Sequence, residues 1–166
     1  MTIASRSIAS LALLASILSA TSALAATPPA QLLNKTVVVA FSVMWPGAPG
    51  PLSVQRMIYV STKGRIFVRG TRSGGNSSDS NDVAPGNYRY EGGRIVGQYK
   101  LATGANQITV SFDPAFASCT ATLQFGRPGG EAYRGTGPDG ATRTTNAAPN
   151  ASGVSCSIRD GNPFGQ

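Results

Sequence analysis

Strict alternation of apolar and polar residues constrains this chain more than any other feature. Across residues 107–112, Ile108, Val110 and Phe112 fall on one side and Gln107, Thr109 and Ser111 on the other. A period of two is the pattern of a half-buried β-strand and is incompatible with an amphipathic helix. Residues 118–125 repeat it with Cys119, Ala121, Leu123 and Phe125 inward, and residues 154–159 with Val154, Cys156 and Ile158 inward. Across residues 36–45, Val37, Val39, Phe41, Val43 and Trp45 share one face, while Val38 and Ala40 make the other face apolar too. That segment is expected to be a strand covered on both sides.

The turns fix two hairpins. Thr62-Lys63-Gly64 separates residues 54–61 from 65–69, and a three-residue loop ending in a left-handed glycine suits a type I turn. The register then sets Val60 opposite Ile66, Ile58 opposite Val68, Tyr59 opposite Phe67 and Met57 opposite Arg69. A two-residue loop would bring core and solvent faces into opposition, so the pattern selects the turn. Gly92-Gly93 makes a two-residue turn of the primed kind. It sets Glu91 against Arg94, Tyr90 against Ile95 and Tyr88 over Gly97, where a ring covers a strand glycine. The fold expected is all-β: a single antiparallel β-sandwich or small β-barrel, with at most a turn of helix at residues 113–117. Residues 70–86 and 126–153 are rich in Gly, Ser, Asn, Asp and Pro and are expected to be long irregular, mobile loops.

Residues 1–25 stand apart from this plan. Arg6 precedes an uncharged, largely apolar run, and Ala23-Leu24-Ala25 puts small residues where a signal peptidase cuts. We expect a signal peptide at 1–25 and one domain at 26–166. The run is too short and Ser-rich for a membrane span, so a transmembrane segment is not expected in the mature chain. Export, to the periplasm or the exterior, also accounts for the two cysteines. Cys119 and Cys156 lie on inward strand faces, far apart in sequence, and are expected to form a structural disulfide.

Charge is unevenly spread. Of 14 basic and 7 acidic residues, residues 26–78 hold Lys35, Arg56, Lys63, Arg65, Arg69 and Arg72 and no acid. Five of these belong to the first hairpin or its exit. Arg65 and Arg69 alternate with Phe67 and are expected to share a face with Tyr59 and Met57. Arginines flanking aromatic rings suit sugar phosphates and other anions. The anion-binding candidates are therefore Arg56, Lys63, Arg65, Arg69, Arg72, Tyr59 and Phe67, with an anionic polymer or envelope component as partner. The alternative is a small-ligand or carbohydrate pocket lined by Tyr88, Tyr90 and Tyr99. The competing structural role of the basic residues is to keep an edge hairpin soluble and unpaired.

Catalytic and metal chemistry are poorly supplied. Histidine is absent, which removes His triads, His bases and His-ligated zinc. No nucleophile elbow, phosphate loop or dinucleotide fingerprint occurs. A carboxylate-based hydrolase would need two of Asp79, Asp82, Glu91, Asp113, Glu131, Asp139 and Asp160 to converge, and Glu91 has a hairpin partner in Arg94. Asp79-Ser80-Asn81-Asp82 clusters oxygen ligands without the spacing of a calcium loop. No cofactor and no metal are expected. The reading is an exported, non-enzymatic binding or envelope-associated module.

Overall fold

The computed structural model describes residues 26–73, 81–83, 87–101, 104–126 and 132–164. The expected signal peptide lies outside them, as do Asp79, Ser80 and Glu131. Eleven strands are described: β1 Lys35–Met44, β2 Leu52–Val60, β3 Ile66–Ser73, β4 Asn81–Val83, β5 Tyr88–Glu91, β6 Arg94–Leu101, β7 Gly104–Phe112, β8 Cys119–Gln124, β9 Tyr133–Thr136, β10 Thr142–Thr145 and β11 Asn150–Asp160. The fold is all-β and antiparallel, with one disulfide.

A five-stranded sheet runs in the order β11-β1-β2-β3-β4 and a four-stranded sheet in the order β5-β6-β7-β8. Each strand after the first therefore pairs with its predecessor within its sheet, until β11 returns beside β1. The two glycine turns behave as the sequence requires. Gly64 has φ 72°, Gly92 55° and Gly93 78°, and the pairings Tyr59–Phe67, Met57–Arg69, Tyr90–Ile95 and Tyr88–Gly97 are all present. Val37, Val39 and Phe41 of β1, Ile58 and Val60 of β2, Ile95 of β6 and Ile108 and Val110 of β7 bury into one core. Leu32, in a short 3₁₀ turn at Ala30–Leu32, enters that core just before β1, and Trp45 enters it just after.

Cys119 and Cys156 form the disulfide, with Cα atoms 5.5 Å apart. It joins β8, at the edge of one sheet, to β11, at the edge of the other. Both cysteines pack against the core.

Four expectations are corrected. Residues 126–153 contain the β9–β10 hairpin and the start of β11. Its turn, from Gly137 to Ala141, repeats the backbone bonding of the Ser61–Arg65 turn, with Gly140 left-handed. Its Gly135 lies against the Trp45 indole, where an added Cβ would come within 2.0 Å of the ring. Residues 70–86 likewise hold the end of β3 and the strand β4, which pairs with it. Residues 113–117 form a turn rather than a helix, because Phe116 is left-handed (φ 56°). The Asp113 carboxylate closes that turn by accepting from Ala117 N, Ser118 N and Ser118 Oγ. Finally, Val154 is exposed, not inward: it sits at a bulge where Phe41 of β1 faces two residues, Gly153 and Val154, of an edge strand.

Candidate functional site

Pleating divides the basic residues of the first hairpin. Arg56 has the parity of Ile58 and Val60, and it lies across Gly70, where an added Cβ would fall 1.2 Å from its guanidinium nitrogen. Arg72 has the parity of Ile66 and Val68 and is paired with Val54. Both therefore belong to the core-facing side of the sheet, and the single basic face expected from sequence does not form. Arg69, Phe67, Met57 and Tyr59 do share the opposite face, and Tyr59 stacks on Phe67 with centroids 6.3 Å apart.

That second face is already occupied by the chain's own C-terminus. Phe164 meets Tyr59 edge-on at 6.3 Å, and the Arg69 guanidinium lies over the Phe164 ring, 4.7 Å from its centroid. The tail is held there by backbone and side-chain bonds. Gly161 N donates to Asn34 O (2.9 Å), and Thr36 Oγ1 donates to Gly161 O (2.7 Å). Lys35 pairs with Asp160, and Tyr59 OH donates to Asn34 Oδ1 at 3.0 Å. Tyr59 is consequently buried, while Phe67 stays 39% exposed. Arg69, expected to share an anion-binding face with Arg65 and Phe67, lies over the Phe164 ring.

Lys63 and Arg65 sit elsewhere, at the β2–β3 turn. They line a cleft of about 320 Å³ together with residues 26–28 and with Tyr88, Arg89 and Tyr90 of β5. The cleft thus unites two groups of residues that the sequence offered as rival sites. Its tyrosines are not the open wall expected of a ligand pocket. Tyr88 is 4% and Tyr90 9% exposed, both belong to the core, and the Tyr88 ring lies across Gly97. Both line the cleft while remaining buried. Tyr99 pairs with Asn106 on β6–β7, and its side chain lies outside the described residues.

The electrostatics of the cleft are cationic. No carboxylate lines it among the described residues. Neither Lys63 nor Arg65 has an ion-pair partner among them. Arg89, which sequence reasoning missed, is held by Glu91 through two bonds, Nε to Oε2 at 2.8 Å and Nη2 to Oε1 at 3.0 Å. Glu91 does face Arg94 across the hairpin, but its ion pair is with Arg89, two residues back on the same strand side. No sequence signal marked Arg89, since what places it is the approach of β5 to the β2–β3 turn.

The remaining acids with described side chains are separately engaged. Asp113 closes its turn, Asp139 pairs with Arg143 and Asp160 with Lys35. The Arg143 guanidinium holds the Asp139 carboxyl down to about 2. The Ser118 hydroxyl, followed by the Ala117 N–H, lowers that of Asp113. Among the described residues no three His, Cys, Asp or Glu side chains gather as a metal site. A shallow groove of about 440 Å³ crosses β1, β2 and β3 beside Ser42, Gln55 and Thr71.

Comparison with protein-family models, characterised proteins and solved structures finds no match.

Proposed function

We propose that this protein is an exported, non-enzymatic binding module that engages an anionic partner through Lys63 and Arg65, with Arg89 beside them. On this reading residues 1–25 are a signal peptide, the mature chain works in the periplasm or outside the cell, and the two sheets form a disulfide-closed sandwich. The observation that carries the reading is the cleft itself. Two cations without carboxylate partners among the described residues line it together with an arginine held in place by Glu91. Long-range charge favours the same partner, since the chain carries a formal +7 with Arg6 and +6 once residues 1–25 are removed. The disulfide and the absence, among the described residues, of a helix long and apolar enough to cross a membrane are compatible with export. The carbohydrate reading is less well supported, because Tyr88 and Tyr90 are sealed in the core and offer no open stacking face.

Retention on an anionic resin tests the proposal. Lys63→Gln with Arg65→Gln is compared with an equal-charge control, Arg134→Gln with Arg159→Gln, on β9 and β11. Counterion release makes such binding salt-dependent in proportion to the contacts made. The cleft pair should elute from heparin resin at clearly lower salt than the control pair. Equal elution of the two would show that only the net charge acts, and that no anion site is built at the cleft.

A further inference from the structure

The cleft wall includes residues 26–28, the first residues after the expected cleavage point. Gly64, between Lys63 and Arg65, is close to that segment: a Cβ there would lie 3.4 Å from Pro28 Cδ and 3.6 Å from Thr27 Cγ2. The start of the mature chain therefore packs on the turn that carries both cations. In the uncut chain the nitrogen of Ala26 is a neutral amide. Cleavage after Ala25 turns it into an α-amine, whose ordinary pKa of about 7.7–8.0 leaves it mostly charged at neutral pH.

We infer that removal of residues 1–25 completes the anion site, the α-ammonium of Ala26 joining Lys63 and Arg65 to hold the phosphate of a phosphorylated monosaccharide. This rests on the anion-binding reading above and goes beyond it in ligand class and in the need for processing. A volume of about 320 Å³ is at the small end for ligand pockets, and fits one sugar ring with its phosphate rather than several rings. A dianionic phosphate has three outward oxygens, enough for an ammonium, a lysine and a guanidinium to share. Pro28 and Ile66, which also line the cleft, supply apolar atoms to a sugar ring. An amine produced by the cut also gives the site a built-in delay: the precursor lacks one of its cations until it has been exported.

The test uses the chain collected after export. N-terminal sequencing should read Ala26 first, and any other start overturns the inference. Calorimetric titration with glucose 6-phosphate is then run on three forms: the processed chain, the same chain acetylated at its α-amine alone, and Lys63→Gln with Arg65→Gln. Charge-assisted hydrogen bonds are strong enough that loss of the ammonium should weaken binding at least about tenfold. The double variant should weaken it further, with Trp45 fluorescence unchanged in all three forms as the check on folding. If acetylation leaves the affinity alone while the double variant loses it, the inference fails and the anion-binding reading stands. If the processed chain is retained on heparin resin but does not take up glucose 6-phosphate, the sugar-phosphate assignment fails. If neither change alters binding, both readings fail together.

Discussion

Close approaches at glycine show how single residues set this structure. Tyr88 lies so near Gly97 that an added Cβ would stand 2.0 Å from its ring, and Trp45 stands in the same relation to Gly135. Both rings are buried. Gly97→Ala should therefore destabilise the fold by about 1–3 kcal/mol, the usual cost of overpacking. Gly50→Ala, with nothing within 4 Å, should stay within about 0.5 kcal/mol of wild type. Urea unfolding of the two variants checks the contrast. The Tyr88–Gly97 pairing is legible in the sequence, because a two-glycine turn leaves one register open. The depth of Tyr88 is not, since alternation says which residues share a face but not which face a second sheet will cover. The parity of Arg56 with Ile58 and Val60 was legible too; grouping residues by charge instead of by pleat hides it.

At the scale of elements, the β9–β10 hairpin and the C-terminal tail are the parts that composition obscures. Gly and Pro make residues 126–153 look structureless, yet Gly137-Pro138-Asp139-Gly140 is a turn sequence with its own mechanism. That sequence alone marks the hairpin. The hairpin stands on Trp45 through Gly135, and Arg143 ties it to the β1–β2 loop by donating from Nε to Gly47 O at 3.0 Å. Arg143 also holds Asp139 at a pKa of about 2, against an ordinary 3.8. A lowered carboxylate pKa contributes stability above the unfolded value, and that contribution is lost as pH falls through the folded one. The hairpin should loosen between about pH 4 and 2, weakly because the pair is solvent-accessible. Emission from Trp45, the one tryptophan, should change across that window, and the Asp139→Asn variant should lose that part of the change. The tail can be tested by deletion of one ring. Phe164→Ala removes an edge-on contact with Tyr59 and a cation–π contact with Arg69. Together these are worth about 1–2 kcal/mol, and thermal unfolding should show a loss of that order. No sequence pattern announces the tail, because its contacts join residues 160–164 to β1, β2 and β3, far away in sequence.

In the whole molecule, two sheets share one core and one covalent tie. The disulfide closes a loop of 37 residues' separation between their edge strands. Chain-entropy arguments put its contribution at roughly 4 kcal/mol, so unfolding in the presence of reductant should shift to markedly lower denaturant. An unchanged midpoint would mean that the sheets need no tie at that edge. The same packing decides where charge is usable. Arg56 and Arg72 are drawn to the core side and Arg69 to the tail, which leaves Lys63 and Arg65 at the mouth of a cleft. Sequence carried the charges and the hairpin register but could not show this division, because it depends on β5 and residues 26–28 coming to the same turn. Backbone amide shifts during titration of the processed, isotopically labelled chain with glucose 6-phosphate test that division most directly. Saturable shifts are expected at Thr27, Lys63, Gly64, Arg65 and Arg89, with little movement at Arg69 or Phe67. Shifts centred on Ser42, Gln55 and Thr71, or none that saturate, would contradict that division.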